Sequence, residues 1–398
     1  MLRSIANNRI LLAACLTNFL LRIEWGVGTG FLPIYVYELG GSPIDVALVF
    51  SVFAAIMVVS QLLWGVFSDF IGKRKILIVA GMFGLLPIYV MMGFQKEILP
   101  LILLRGSTAI LKGAVVPCTW AIVSDLSSER IGRNMGILSS AELAGFAIGP
   151  ALGGIVADNY GFQNLWFIIG AICFLGGLIF LVLGKESANP VRRTDGIPLL
   201  NTMRNKETIS KVLSVSVATA FVLLGFSFLG PNLNVYLARE FGYSKTFIGA
   251  VIFLGTGIAT LLQPLSGYFS DKYGRRIVMI VSASSLILGN LVLLLGGEAQ
   301  YVILCFILIN YYNSFNMVAS AYIGNVVNPQ ERSGALGILN SVGSLARAVA
   351  SMAGGFVIAA ADVPTALKIA AAFPIVAIII VIFVVRDQST GIRTSLRV

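Results

Sequence analysis

The segment Gly65-Val66-Phe67-Ser68-Asp69-Phe70-Ile71-Gly72-Lys73-Arg74-Lys75 returns 202 positions later as Gly267-Tyr268-Phe269-Ser270-Asp271-Lys272-Tyr273-Gly274-Arg275-Arg276, each copy between two long apolar runs. A Gly and an Asp end one run and cations begin the next, so each copy reads as a tight turn at a membrane surface. The repeat extends beyond the turn. Glu38-Leu39-Gly40 pairs with Glu240-Phe241-Gly242, Glu129-Arg130-x-Gly132 with Glu331-Arg332-x-Gly334, and Gly153-Gly154 with Gly354-Gly355. One nearly constant offset across six runs implies a duplicated bundle, its halves related by an axis along the membrane normal.

Composition sets the solvent. The chain is 57% apolar, only 12% charged, and has a mean hydropathy of +0.91, so it is read as an integral membrane protein. Crossing the hydrocarbon takes roughly 20 apolar residues in a helix. Twelve such runs lie near 10–37, 44–68, 75–95, 98–124, 134–157, 163–184, 212–238, 246–270, 277–296, 300–326, 334–360 and 364–386. They are continuously apolar rather than alternating, which predicts an all-α protein of two six-helix bundles and not a barrel. The expected organisation is a first bundle over 1–184, a linker over 185–211 and a second bundle over 212–398. The first run carries Asn18, Arg22 and Glu24 and no small-residue cleavage site, so it reads as a span and not a removable signal.

Of 28 Lys and Arg, 20 fall in the termini and the even-numbered connections, and only Lys96, Arg239, Lys245 and Lys368 in the odd-numbered ones. Such an excess marks the cytoplasmic side. Both termini and both glycine turns are therefore expected inside the plasma membrane of a prokaryote, and the net charge of +10 is topological rather than a nucleic-acid footprint. Cys15, Cys118, Cys173 and Cys305 lie far apart within spans without metal-ligand spacing, so no metal and no cofactor are expected. There is no His, no H-E-x-x-H and no G-x-S-x-G, which argues against an enzyme. Proton chemistry would have to run on carboxylates. The expected partners are a small-molecule substrate and membrane lipid, and nothing requires more than a monomer.

With glycine turns after the second and eighth spans of a duplicated twelve-span chain, the sequence resembles the major facilitator superfamily over essentially its full length. That resemblance implies a secondary transporter working by alternating access, driven by a proton gradient. It also implies a conformational latch at the turns: Gly65, Asp69, Gly72, Arg74 and Asp125 in the first half, Gly267, Asp271, Gly274 and Arg275 in the second. Position 327, where a counterpart of Asp125 would fall, is Val. In span 5, Gly145, Gly149, Pro150, Gly153 and Gly154 fit G-x-x-x-G-P-x-x-G-G, the motif typical of the superfamily's antiporters, where those proteins close against the opposite half. Small residues four apart let helices approach closely, and Pro150 removes a backbone donor.

Charges within spans are costly and functional by default. Arg22 and Glu24 lie in span 1, Arg105 and Lys112 in span 4, Glu142 in span 5 and Arg347 in span 11. A step of two residues turns about 200°, so Arg22 and Glu24 must serve different neighbours. Arg22 shares a face with Asn18 and Thr29; Glu24 shares one with Thr17, Gly28 and Tyr35. Arg105, Thr108, Lys112 and Thr119 fall on one stripe, read as a cavity wall. Arg105 resembles the superfamily's span 4 arginine, but Thr108 and Ala109 stand where its Gln and Gly are usual. Glu24 and Glu142 are the deep carboxylates and hence the candidate proton carriers, the alternative being static ion pairs with Lys112 or Arg105.

The second half offers neutral hydrogen-bonding and aromatic groups: Asn310, Tyr311, Tyr312, Asn313, Asn316 and Ser320 in span 10, with Asn232, Asn234 and Tyr236 in span 7. Such groups suit an amphipathic or hydroxylated substrate. The leading expectation is proton-driven export of small amphipathic compounds, resembling the multidrug antiporter branch. Four cations against two carboxylates within the spans also leave open uptake or exchange of an organic anion, sugar or lysolipid. A membrane sensor on the same fold is the non-transport alternative.

Overall fold

A computed structural model describes residues 2–126, 131–186, 206–327 and 332–385; the side chains of 2–8, Leu62, Val66, Asp69, 131–132, 206–208 and 332–333 are outside the description. The latch role expected of Asp69 and the linker residues 187–205 therefore lie outside the described residues. The helices are α1 Leu2–Glu38, α2 Pro43–Ile71, α3 Arg74–Gly93, α4 Ile98–Asp125, α5 Ile131–Leu183, α6 Lys206–Arg239, α7 Lys245–Tyr273, α8 Arg275–Val292, α9 Ala299–Asn310, α10 Asn313–Val326, α11 Arg332–Ala360 and α12 Val363–Val384. No strand occurs among the described residues. Helices satisfy every backbone group internally, which hydrocarbon demands.

Among the described residues eleven runs are long and apolar enough to cross a membrane, and the chain is an all-α, multi-pass membrane protein. One run, Arg133–Leu183, has 51 residues, enough for two crossings. It bends at Gly161, whose φ of 77° and ψ of 172° are not helical. The sequence predicts a break between spans 5 and 6 near 157–163, and the backbone makes it at this single glycine. Span 10 is one apolar run, Ala299–Val326; between α9 and α10 the backbone of Tyr311 and Tyr312 stays in the right-handed helical region and tightens to i→i+3 hydrogen bonds. α6 begins at Lys206, earlier than the expected span 7, because the polar end of the linker sequence is already helical.

Local chemistry sets the ends. Ser42 and Asp45 form a capping box at the start of α2, with Pro43 in its first turn. At its other end Gly72 closes α2 with φ 66°, a left-handed conformation that glycine adopts without strain. Gly274 occupies the equivalent place before α8 at φ 101°. Asp362 caps α12 by accepting from Thr365 N at 2.7 Å, and that bonding holds its carboxyl below the usual carboxylate range.

By contact the chain divides into two units. The first holds Met1–Thr194 with Gly230–Leu254 and Ser351–Ala360; the second holds Asp195–Leu229, Gly255–Ala350 and Ala361–Val398. In the first unit α5 packs along α1 and α3, and α4 packs against α2 and α3. In the second, α8 is the central element, packed by α9, α10 and α12.

Candidate functional site

The deepest site is built around Glu24 of α1. Lys112 Nζ lies 2.6 Å from its Oε2 and Arg105 Nη1 lies 3.3 Å from its Oε1, both from α4. Tyr89 of α3 donates its hydroxyl to the same Oε1. All three charged side chains are sealed, with exposures of 0% for Glu24 and Lys112 and 1% for Arg105. Phe53 of α2 lies under Arg105 at 4.1 Å and near Lys112 at 5.1 Å, so the cations rest on an aromatic face. Gly28, one turn along from Glu24, leaves room for the guanidinium, which a side chain there would meet.

The predicted stripe on α4 is therefore a packed wall and not the lining of an open cavity. Thr108 and Thr119 are buried and turn their hydroxyls back to Arg105 O and Val115 O in their own helix. Glu24's other face-mates are structural as well: Thr17 donates to Gly176 O at 2.9 Å, and Tyr35 to Met92 O at 3.0 Å.

A second cluster serves the other side of α1. Arg22 Nη2 lies 2.8 Å from Glu142 Oε2 on α5, and Trp120 Nε1 of α4 donates to Glu142 Oε1 at 2.8 Å. This pair is less deeply buried, with side-chain exposures of 22% for Arg22 and 9% for Glu142. Trp25 stands between the clusters, its ring 4.8 Å from Arg22 and 5.4 Å from Lys112. Asn18, on the Arg22 face, donates to Ala14 O at 3.0 Å and is buried.

The two clusters differ in what protonation would do. Neutralising Glu24 strands two cations in a dry interior, where an unpaired charge costs several kcal/mol. Neutralising Glu142 frees one cation that is partly exposed. The surrounding interface is narrow. A methyl group at Gly145 would strike the Phe19 carbonyl, one at Gly149 the Ile23 carbonyl, and one at Gly153 the side chains of Val27 and Phe31. The glycine motif thus lays α5 along the backbone of α1, while Gly154 abuts Lys245 at the start of α7 and Gly249 abuts Pro150.

At the glycine-turn end, Arg74 Nη1 lies 2.6 Å from Asp125 Oδ2, joining α3 to α4. Glu186 completes this corner by accepting from Arg74 N at 2.6 Å and Lys75 N at 3.0 Å, a carboxylate on the positive end of α3. Sequence reasoning missed Glu186, which reads there as one more polar residue after span 6. Gly65, Gly136 and Gly267 have no close neighbour that a side chain would hit. In the second unit Asp271 is 79% exposed and reaches only Arg275 on the next turn, at 3.8 Å, while Val327 is buried.

At the opposite end another set of contacts was not predicted. Asp158 accepts from Thr246 N at 2.6 Å and Lys245 N at 3.1 Å, capping α7, and Lys245 Nζ lies 2.8 Å from Glu38. Asn234 donates to Gly30 O of α1 at 3.0 Å, Asn232 is buried, and Tyr236 packs edge-on against Phe241. These α6 residues belong to the first unit. In the second unit Asn310 and Asn313 donate to Phe306 O and Asn310 O, and Asn316 keeps a buried Oδ1 without a partner. Tyr312 stacks on Phe226 with centroids 4.1 Å apart, and Arg347 of α11 lies beside its hydroxyl.

The sequence profile of the Major Facilitator Superfamily matches residues 14–213 and 215–396. The chain belongs to that superfamily and is a membrane transporter, not an enzyme. It is 28% identical over 361 residues to the "Multidrug resistance protein MdtG" of Yersinia enterocolitica, covering 82% of this chain and 86% of that one. The Escherichia coli protein of the same name (strain K12 / DH10B) is 26% identical over 352 residues, covering 81% and 86%. Among solved structures, a point mutant of the nucleoside transporter NupG superposes with a TM-score of 0.82 at 15% identity, over 95% of this chain and 100% of that one. A bacterial homolog of the human lysosomal transporter Spinster gives 0.78 at 16% identity, over 94% and 96%. At such identities these structures speak for the fold alone.

Proposed function

We propose that this transporter exports small amphipathic compounds in exchange for protons, with Glu142 as the proton carrier, across a prokaryotic plasma membrane with both termini in the cytoplasm. The observation that carries this reading is the Arg22–Glu142 pair, a one-to-one ion pair less deeply buried than the Glu24 cluster, beside Gly145 where α5 touches the α1 backbone. A proton entering from outside neutralises Glu142 and releases Arg22. With its ion pair gone, α1 is free to shift against the glycine face of α5 as the two six-span halves, 1–184 and 212–398, exchange access. Arg22 re-forming the pair on the inner side expels the proton, so one proton moves inward as substrate moves outward. Glu24 stays ionised throughout, because Arg105 and Lys112 both depend on it. The printed name of the MdtG relatives, multidrug resistance protein, supports the export side of this reading.

The test uses the full chain in proteoliposomes carrying a pH-sensitive dye in the lumen. Adding N-phenyl-1-naphthylamine against an imposed pH gradient should move protons and compound in opposite directions. Transport of the compound without proton movement would overturn the coupling.

A further inference from the structure

Of the four deep cations, Arg105 and Lys112 share Glu24, and Arg22 has Glu142. Among the described residues no carboxylate lies within ion-pair distance of Arg347, although it sits in the middle of the span Gly334–Ala360. Arg347 is exposed, and the face it occupies says to what. On α11 Leu345, Val349 and Phe356 are 67%, 54% and 50% exposed, and at 100° per residue they form one apolar stripe. Arg347 is about 200° from Leu345, on the far side of the helix from that stripe. It shares its side with Gly343, where an added side chain would meet Leu223 of α6. The charge therefore points into the bundle, where Tyr312 is 6% exposed and Phe226 stacks on it.

A second observation marks the same place. At Tyr311 and Tyr312, beside Arg347, the helix of span 10 tightens to i→i+3 bonds, Ser314 N donating to Tyr311 O at 3.0 Å and Phe315 N to Tyr312 O at 2.9 Å. A short 3₁₀ stretch inside a long helix often marks a functional hinge. One turn on, Asn316 holds a buried Oδ1 with no hydrogen-bond partner. The second unit thus presents a cation without a counter-ion, an aromatic pair next to it and an unfilled amide acceptor.

We propose that Arg347, with Tyr312 and Phe226, binds small aromatic acids, the guanidinium taking the anionic group and the Phe226–Tyr312 pair the ring. Arginine suits this task, since its fork pairs carboxylate or sulfonate oxygens and its plane packs on aromatic faces. The inference rests on the export reading, and it adds to that reading a preference for amphipaths bearing one negative charge.

Two probes that differ by a single sulfonate test it: 8-anilino-1-naphthalenesulfonate and neutral N-phenyl-1-naphthylamine. With the full chain in detergent, equilibrium dialysis should give a Kd for the sulfonate about tenfold lower than for the neutral probe. Arg347→Gln should erase that preference and leave the neutral probe's Kd unchanged, while Arg347→Lys keeps part of it. Monodisperse elution and an unchanged melting midpoint of each variant exclude misfolding. Equal sulfonate affinity in wild type and Arg347→Gln, or equal loss of both probes, would overturn the subsite. If the neutral probe is still exported against protons in that case, the export reading stands without it. If wild type neither binds nor moves either probe, both fall.

Discussion

Arg22 and Glu24 stand two residues apart on α1 and serve opposite sides of it: Arg22 pairs with Glu142 of α5 at 2.8 Å, and Glu24 with Lys112 of α4 at 2.6 Å. One helix thus carries a partly exposed single ion pair on one side and a sealed cluster on the other, with Trp25 between them. In the proposed mechanism, stability and coupling fall to different carboxylates.

The sealed cluster is a structural element. Glu24→Gln leaves Arg105 and Lys112 buried without a counter-ion and should cost about 3–5 kcal/mol. Adding Lys112→Met to that variant should recover more than half of the loss. Melting midpoints of the single and double variants in detergent check this, and a double variant less stable than Glu24→Gln would contradict it.

Glycine has a steric role at Gly149 and none at Gly136. Gly149→Leu drives a side chain into the Ile23 carbonyl and should destabilise by about 1–3 kcal/mol or more. Gly136→Ala, in the same helix with nothing near, should be neutral or stabilising by up to about 1 kcal/mol. Thermal unfolding of the pair separates packing from a general intolerance of α5.

Asp125→Asn should destabilise the glycine-turn end by about 1–3 kcal/mol, since it removes the 2.6 Å ion pair with Arg74, which is 5% exposed. Glu186→Ala should cost about 1 kcal/mol by uncapping α3. Because both act on α3, their effects should not add; additive losses in a double-mutant cycle would separate them.

At the other end, Asp158→Ala removes the acceptor for two backbone N–H groups of α7 and should cost about 1–2 kcal/mol. A cysteine placed at Asn234, which donates to Gly30 O at 3.0 Å, should then react faster with a charged thiol reagent. Unchanged reactivity would show that Asp158 does not hold this end together.

Most of the scaffold was legible in the sequence because hydrocarbon leaves few choices. Runs of about 20 apolar residues must be helices, and the repeat of Gly65–Lys75 at Gly267–Arg276 fixed their duplication. The separation of Arg22 from Glu24 also followed from helical period alone. Partners did not. Periodicity places Arg105 and Lys112 on one stripe but cannot tell a packed wall from a cavity, since that depends on helix tilt and on Phe53 and Tyr89 from other helices. Glu186 and Asp158 look like ordinary polar residues at span ends, and only the fold brings each to the first turn of another helix. The tightening to i→i+3 bonds at Tyr311 and Tyr312 has no Gly or Pro to announce it.

The central claim is that Glu142 couples proton movement to transport. The direct measurement is uphill accumulation of N-phenyl-1-naphthylamine by proteoliposomes under a pH gradient, comparing wild type with Glu142→Gln and scoring counterflow exchange in parallel. Glu142→Gln should lose accumulation against the gradient while keeping exchange. A Glu142→Gln protein that concentrates the compound as wild type does would contradict the account.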